Sequence, residues 1–164
     1  MTGGDSLAME SMMTDKATRP HDIVVYGATG YTGRLVAEYL AHHYQGSQGS
    51  GGPKWAMAGR SADKLAEVRD LIGAPADTPL IVANSDDPTS MKALAEQARV
   101  VITTVGPYQL YGEPLLKACV EAGTDYADLC GEPGWMRQMI DAYHEAAKAS
   151  GARIAFSRDR KSVV

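Results

Sequence analysis

Three glycines spaced three residues apart mark the segment of this sequence best suited to chemistry, Gly27-Ala28-Thr29-Gly30-Tyr31-Thr32-Gly33. An apolar run at residues 22–26 precedes it, and an amphipathic helical pattern follows it. In this context the first glycine permits a tight strand-to-helix turn, the second lets backbone approach a pyrophosphate, and the third lets the helix pack on the strand. The start of the helix offers unpaired N–H groups and a positive dipole end to the phosphates. We therefore predict dinucleotide contacts from Gly27, Thr29, Gly30, Tyr31, Thr32 and Gly33.

The end of the second predicted strand carries Arg60, at the position where such folds contact the adenosine ribose. An acidic residue here would accept from the 2′-hydroxyl of NAD, whereas an Arg accommodates the 2′-phosphate of NADP. Ser61 is adjacent and Lys64 lies one helical turn further on, so three donors can converge on one dianion. The sequence therefore favours NADP over NAD. The alternative for Arg60 is a solvated side chain at a helix start.

The ends of the third and fourth predicted strands supply further candidate contacts. Ser85 and Asp86 follow the third strand and are predicted to contact adenine, although Asp86 or Asp87 can instead serve as a helix N-cap. After the fourth strand the apolar run gives way to a Gly-Pro turn at the carboxyl edge of the sheet, where ligands bind in such folds. The predicted contacts here, towards the nicotinamide, are Thr104, Gly106, Pro107 and Tyr108. A packing role is the alternative for Tyr108.

Strand-like runs alternate with helical patterns along the chain. The strands are predicted at residues 22–26, 55–58, 80–83, 100–105, 126–129 and 153–156, and the helices at 31–44, 62–72, 88–97, 112–122 and 134–150. Ser61 is predicted to cap one helix, and Gly73, Gly123 and Gly151 stand where helices should end. Near-continuous apolar strands separated by helices predict an α/β fold, a doubly wound parallel sheet of the Rossmann NAD(P)-binding type.

The composition of the 164-residue chain disfavours several functional classes. With 16 Lys+Arg against 20 Asp+Glu the net charge is −4, which gives no general electrostatic basis for binding nucleic acid. No apolar run approaches the ~18 residues of a transmembrane span, and the amino terminus lacks the pattern of a secretory signal. Cys119 and Cys130 have neither disulfide-framework nor zinc-site spacing, so no metal is expected. These features predict a cytoplasmic protein.

The chain is predicted to divide into a leader, one domain and a tail. Residues 1–20 are expected to be a flexible leader, with a true start at Met12 or Met13 as an equal alternative, and residues 21–157 form the dinucleotide-binding domain. A low-complexity stretch at residues 46–52 is expected to be an exposed loop. Residues 158–164 look like the translation of a widely used sequencing adaptor, so we interpret them as an artefactual tail; a short basic terminus is the alternative. On this interpretation the domain is truncated before a second, substrate-binding domain.

Several motifs together resemble a known family. They are the loop from Gly27 to Gly33, Ala58-Gly59-Arg60, Val105-Gly106-Pro107-Tyr108, Tyr111-Gly112-Glu113 and Tyr126-Ala127-Asp128-Leu129-Cys130-Gly131-Glu132. Over about residues 22–157 the chain is similar to the amino-terminal domain of saccharopine dehydrogenase-like oxidoreductases, and within them to the actinobacterial trans-acting enoyl reductase branch. The resemblance implies NADPH-dependent reduction of a lipid-linked enoyl substrate or of an imine-type substrate. It also implies that homo-oligomers form through the absent domain. Cys130 stands where Thr or Ser is expected, which puts a hydroxyl role there in doubt.

These observations favour an NADP-dependent oxidoreductase of which this chain supplies the cofactor domain and is inactive alone. The alternatives are a non-catalytic module that senses NADPH, and an adaptor that uses the fold as a scaffold and leaves the glycine loop without a ligand. No Tyr-x-x-x-Lys occurs, which disfavours a short-chain dehydrogenase. No catalytic acid or base is assigned. Glu132 is expected to satisfy a helix dipole, with orientation of the substrate as the alternative. Turnover by this chain alone would make Tyr108, Tyr111 and Glu132 the candidates for the catalytic group.

Overall fold

The computed structural model describes residues 15–44 and 51–158 of the chain. These residues form a parallel sheet in the order β3-β2-β1-β4-β5-β6. The strands are β1 (His21–Tyr26), β2 (Trp55–Gly59), β3 (Leu80–Val82), β4 (Ala98–Thr103), β5 (Asp125–Asp128) and β6 (Ile154–Ala155). The chain moves outward from β1 to β3, returns to place β4 beside β1, and moves outward again to β6. This confirms the predicted doubly wound α/β fold.

Five α-helices connect the strands within the described residues. They are α1 (Tyr31–His43), α2 (Ala62–Leu71), α3 (Pro88–Glu96), α4 (Tyr108–Ala122) and α5 (Pro133–Ser150). The hydroxyl of Ser61 accepts a hydrogen bond of 3.3 Å from the Lys64 N–H and begins α2 as predicted. Gly123 and Gly151, which follow α4 and α5, adopt left-handed φ values of 68° and 77°, so these helices also end where the sequence predicts.

The helices cover both faces of the sheet, and neighbouring residues of β1 show how. Val24 and Val25 are both fully buried, yet Val24 belongs to the core beneath α3, α4 and α5, whereas Val25 belongs to the core beneath α1 and α2. Side chains alternate between the faces of a strand, so a central strand covered on both sides must be apolar at every position. The near-continuous apolar runs of the sequence have this cause.

The β4–α4 connection differs from the prediction. The sequence predicts a strand at 100–105 and a helix from 112, whereas β4 ends at Thr103 and α4 already begins at Tyr108. The carboxylate of Glu132 accepts hydrogen bonds from the backbone N–H groups of Tyr108 and Gln109, the first two of α4. A side chain more than twenty positions away therefore stabilises the first turn of this helix, and local periodicity carries no sign of it.

The amino-terminal boundary also differs from the prediction, which places residues 1–20 in a flexible leader. Residues 1–14 lie outside the described part of the chain, but Lys16–Thr18 forms a 3-10 helix and Arg19 is only 7% exposed. The Arg19 guanidinium donates to the carbonyl oxygen of Ala98 at 2.7 Å and to that of Ala122 at the end of α4. A buried cation needs such acceptors. These hydrogen bonds anchor the segment beside the start of β4 and the end of α4.

Two other predicted segments, the loop and the tail, lie largely outside the described residues. Of the expected loop at residues 46–52 only Gly51 and Gly52 are described, and of the expected tail at 158–164 only Arg158 is. The backbone N–H of Arg158 donates to the carbonyl oxygen of Asp128 at 2.8 Å, directly after β6. Within residues 15–44 and 51–158 no helix is long and apolar enough to cross a membrane.

Candidate functional site: a cavity at the carboxyl edge of the sheet

A cavity of about 280 Å³ opens at the carboxyl edge of the sheet, where β1 lies between β2 and β4. The chain leaves β1 towards one side of the sheet and leaves β4 towards the other, and open α/β sheets bind ligands at such a point. The wall is formed by Tyr26, Gly27, Thr29, Gly30, Gly59, Arg60, Ser85, Asp86, Thr104, Val105, Gly106 and Tyr111. We call this space the edge cavity.

The structure divides the predicted contact residues into two groups. Those that line the edge cavity are Gly27, Thr29, Gly30, Arg60, Ser85, Asp86, Thr104 and Gly106. Those outside its wall are Tyr31, Thr32, Gly33, Ser61, Lys64, Pro107 and Tyr108. Four strand ends that are far apart in the sequence thus converge on one space, as the fold prediction requires.

The three motif glycines stand in three different environments. Gly27 has φ +88°, and a β-carbon there would lie 2.7 Å from the Val105 side chain. A β-carbon on Gly33 would lie 2.0 Å from the carbonyl oxygen of Gly27, so α1 approaches the turn more closely than any side chain permits. Gly30 is different, because a β-carbon there would have one near neighbour among the described residues, the Gly27 oxygen at 3.4 Å, and would border the edge cavity. Gly27 and Gly33 therefore shape the loop, and Gly30 keeps its surface open.

The amino terminus of α1 differs from those of the other helices at this edge. The N-cap of α1 is Gly30, no side chain among the described residues caps it, and its first turn holds no acidic residue. By contrast, Ser61 caps α2, Asp87 caps α3 through a 2.9 Å bond from the Thr89 N–H, and Glu132 occupies the start of α4. The first N–H groups of a helix have no partner within the helix. At α1 they remain available to a phosphate beside the edge cavity.

Arg60, directly after β2, places a guanidinium on the cavity wall. Its side chain is exposed, borders the edge cavity, and makes no hydrogen bond or ion pair with any other described residue. Lys64 and the Ser61 hydroxyl, predicted to join it, stand outside the wall, because Ser61 already accepts from the Lys64 N–H as the cap of α2. Arg60 is therefore the strongest candidate of this group for an anionic ligand.

Ser85 and Asp86 form the far side of the cavity after β3. The Asp86 N–H donates to the side-chain oxygen of Asn84 at 3.2 Å, which folds the loop back on itself. Asp87 takes the cap of α3 and leaves Asp86 exposed on the cavity wall, so of the two candidates for the cap the structure shows Asp87. Beneath them, burial raises the pKa of the Tyr26 phenol, and hydrogen bonds with Ser85 oppose that rise.

The two tyrosines after β4 lie in different environments. Tyr108 is 6% exposed, and its hydroxyl donates to the Thr103 carbonyl at 3.2 Å and accepts from the Leu129 N–H at 3.2 Å. Burial raises the pKa of Tyr108 to about 12. Tyr111, one turn further along α4, borders the edge cavity. Tyr108 therefore has the packing role that the sequence left open and lies outside the cavity wall, because α4 begins early enough to turn that side chain into the core.

The last residue of β5, Asp128, has a buried carboxylate beside the loop that follows the strand. It is 1% exposed and accepts from the Tyr126 hydroxyl at 2.8 Å, from the Cys130 N–H at 3.0 Å and from the Ser157 N–H at 2.8 Å. Burial raises the pKa of Asp128 against these hydrogen bonds, which favour its charged form. Asp128 thus holds the backbone after β5, at Cys130, and the backbone after β6, at Ser157. No cluster of metal-ligating side chains is found in the described part of the chain.

Four residues of the cavity wall were not predicted as contacts from the sequence, namely Tyr26, Gly59, Val105 and Tyr111. The first three continue predicted strands or directly follow them, and so resemble ordinary strand residues. Their position at strand ends was the available signal, since the ends of parallel strands meet at one edge. Tyr111 carried no such signal, because its place depends on where α4 begins.

Comparison with known proteins identifies the family of this chain. Residues 23–154 match the family described as the saccharopine dehydrogenase NADP binding domain. The chain belongs to this family. Membership confirms the resemblance carried by the motifs.

Curated relatives fit the same family and are much longer. A trans-acting enoyl reductase of Mycobacterium tuberculosis is 52% identical over 139 residues, which cover 84% of this chain and 32% of that protein. A trans-acting enoyl reductase of Mycobacterium leprae is 50% identical over 144 residues, covering 87% and 32% respectively. The chain thus spans about a third of the length of these relatives.

Solved structures share the fold at low sequence identity. Apo saccharopine dehydrogenase of Saccharomyces cerevisiae superposes with a TM-score of 0.62 at 14% identity, over 84% of this chain and 27% of that chain. A triphenylmethane reductase of Citrobacter, complexed with NADP(H), superposes with a TM-score of 0.59 at 19% identity, over 82% and 48%. These likenesses show the NAD(P)-binding fold.

Proposed function

We propose that this domain binds NADPH in the edge cavity and serves hydride transfer to an enoyl substrate. The observation that carries the proposal is the convergence, in one cavity, of the open Gly30 surface, the uncapped start of α1 and the unpaired Arg60. Together they suit two parts of one ligand: the open Gly30 surface and the backbone N–H groups of α1 suit a pyrophosphate, and the Arg60 guanidinium suits a 2′-phosphate. When bound, NADPH supplies the hydride.

The residues of this chain would hold the cofactor along the carboxyl edge. The pyrophosphate belongs at the first turn of α1, the 2′-phosphate at Arg60, and adenine beside Ser85 and Asp86. The nicotinamide half then belongs on the β4 side, beside Gly106 and Tyr111, because the two mononucleotide halves of such sheets bind on opposite sides of the central crevice. The protein's part is to bind, orient and shield the cofactor.

The choice of an enoyl substrate rests on the relatives. Proteins half identical to this chain are named trans-acting enoyl reductases, whereas the likeness to saccharopine dehydrogenase itself is at 14% identity. An imine substrate is therefore the second candidate. For the first candidate we propose, more specifically, an enoyl group that is linked to a lipid. No described side chain on the cavity wall forms an acid–base pair, so we propose that this chain alone binds NADPH without turnover.

The test separates binding from chemistry. Titration of the chain with NADPH and NADH, followed by nicotinamide fluorescence, should show binding with a clear preference for NADPH. NADPH oxidation is then followed for this chain and for a polypeptide of the relatives' full length, with an enoyl thioester and a cyclic imine. Turnover of the thioester by the long form supports the proposal. Tight binding with no turnover of either substrate by the long form would instead indicate an NADPH-sensing module.

A further inference from the structure

The loops that follow β4 and β5 are joined by one carboxylate. Oε1 of Glu132 accepts from the Tyr108 N–H at 2.8 Å, and Oε2 accepts from the Gln109 N–H at 2.9 Å. Glu132 follows β5, whereas Tyr108 and Gln109 follow β4. Both carboxylate oxygens are therefore engaged across the gap between two neighbouring loops.

The side chain of Tyr108 makes a second connection between the same loops. Its hydroxyl donates to the Thr103 carbonyl at the end of β4 and accepts from the Leu129 N–H after β5, each at 3.2 Å. Its ring lies 5.7 Å from the Trp135 ring on α5. A residue held at its backbone by Glu132 and at its hydroxyl by two backbone groups has little freedom to move. We call the Glu132–Tyr108 pair the loop clamp.

The loop clamp borders the β4 side of the edge cavity without entering it. Gly106 and Tyr111 lie on the cavity wall on either side of Tyr108 in the sequence, whereas Tyr108 and Glu132 do not. A β-carbon on Gly106 would lie 3.5 Å from the Tyr108 ring, so the turn rests on the clamped side chain. Displacement of Tyr108 would therefore move Gly106 and Tyr111 together.

The loop clamp also distinguishes the two helices that begin at the central crevice. A carboxylate already satisfies the first N–H groups of α4 and complements its dipole, while those of α1 have no such partner among the described side chains. A phosphate near α4 would meet this negative charge. The arrangement leaves α1 for phosphates and the α4 side for an uncharged or cationic ring.

We propose that Glu132 is a positioning residue for the nicotinamide half of the bound cofactor. This inference rests on the proposed function. Glu132 acts through Tyr108 on the wall around Gly106 and Tyr111, and the adenosine half, held at Arg60 and the start of α1, does not depend on it. Loss of the carboxylate therefore weakens binding of the nicotinamide selectively.

The experiment compares two ligands that differ only in that half. NADPH and 2′-phospho-ADP-ribose, which lacks the nicotinamide, are titrated into the chain and into Glu132→Ala and Glu132→Gln. Without the carboxylate the turn around Gly106 must be ordered when the nicotinamide binds, so Glu132→Ala should bind NADPH about tenfold more weakly and 2′-phospho-ADP-ribose less than about twofold more weakly. Glu132→Gln keeps one acceptor oxygen and should fall between Glu132→Ala and the unaltered chain. The change in nicotinamide fluorescence on binding should be largest in the unaltered chain, smaller in Glu132→Gln and smallest in Glu132→Ala.

The ratio of the two affinities protects the test against a folding defect, because partial unfolding lowers both affinities by the same factor. Glu113→Gln is the matched control, since Glu113 is also on the α4 side and accepts from the Tyr143 hydroxyl at 2.8 Å but lies outside the cavity wall. It should leave the ratio unchanged. An unchanged ratio in Glu132→Ala would overturn the inference while the cofactor proposal stands. Failure of the unaltered chain to bind either ligand would overturn both.

Discussion

The α-carbon of Gly33 faces the carbonyl oxygen of Gly27 so closely that a β-carbon at position 33 would stand 2.0 Å from that oxygen. Both partners of this contact are main chain, so neither can rotate away. Helix α1 consequently begins directly against the turn that ends β1. This proximity brings the unpartnered N–H groups of the first turn to the edge cavity.

We expect Gly33→Ala to affect mainly the stability of the fold and Gly30→Ala to affect mainly NADPH binding. Gly33→Ala should lower the free energy of unfolding by about 1–3 kcal/mol, the usual cost of overpacking, or more. Gly30→Ala should lower it by about 1 kcal/mol or less, because its β-carbon would meet the Gly27 oxygen at 3.4 Å. It should nevertheless weaken NADPH binding, because the added methyl group enters the cavity. Urea unfolding and NADPH titration of both variants check this; a Gly30→Ala variant with unaltered affinity would contradict the pyrophosphate assignment.

Arg60→Ala should reduce the preference for NADPH over NADH. A charge-assisted hydrogen bond contributes about 1.5–3 kcal/mol, so NADPH binding should weaken by about ten- to a hundredfold and NADH binding much less. Lys64→Ala is the control, since Lys64 is a nearby cation outside the cavity wall. The four dissociation constants of each variant, at low and high salt, decide the matter. Equal losses for both cofactors would show that Arg60 does not bind the 2′-phosphate.

Gly112→Ala should destabilise the domain although alanine favours helix. A β-carbon on Gly112 would lie 2.6 Å from the Trp135 ring, and burial of that ring leaves it little room to move. The overpacking cost of about 1–3 kcal/mol exceeds the gain in helix propensity of about 1 kcal/mol. Gly134→Ala is the control, because a β-carbon there meets no described atom within 4 Å and should be neutral or stabilising. Thermal unfolding distinguishes them, and a rise in Tm for Gly112→Ala would refute the packing argument.

Two carboxylates of β5 should give opposite pH dependences of stability. Burial alone would raise the pKa of Asp125, but hydrogen bonds from Arg153 and Lys16 outweigh it and hold that pKa below its usual range. Asp125 therefore stabilises the fold above the ordinary carboxyl pKa, and this contribution is lost as the pH falls through the folded pKa. At Asp128 burial dominates and raises the pKa, so its contribution diminishes as the pH rises from the ordinary carboxyl pKa through the raised one.

The measurement is urea unfolding of Asp125→Asn and Asp128→Asn beside the unaltered chain between about pH 3 and pH 7, across the ordinary carboxyl range. The stability that the unaltered chain has over Asp125→Asn should grow with pH. Its stability relative to Asp128→Asn should shrink over the same interval, because the raised pKa of Asp128 makes its ionisation in the fold unfavourable. The Asn side chain does not ionise, and its oxygen can still accept from the Cys130 and Ser157 N–H groups. Parallel trends in the two variants would show that one of the pKa directions is wrong.

The sequence by itself determined the fold and the family. Strand runs that are apolar at successive positions require cover on both faces, as Val24 and Val25 show, and this cover with alternating helices gives the doubly wound sheet. The helix caps at Ser61, Gly123 and Gly151 were also predictable, because each acts within a few residues of its own position. The glycine loop could be found for the same reason.

Only the tertiary structure decided which side chains face the cavity and which connect its walls. The start of α4 depends on Glu132, which lies more than twenty positions away, so local periodicity placed that start four residues late and gave no sign that Tyr108 is buried while Tyr111 borders the edge cavity. Arg19 was likewise assigned to the leader, because its acceptors at Ala98 and Ala122 belong to distant elements. Propensity and spacing describe interactions between near neighbours in the chain, whereas these hydrogen bonds exist only once distant segments have packed together.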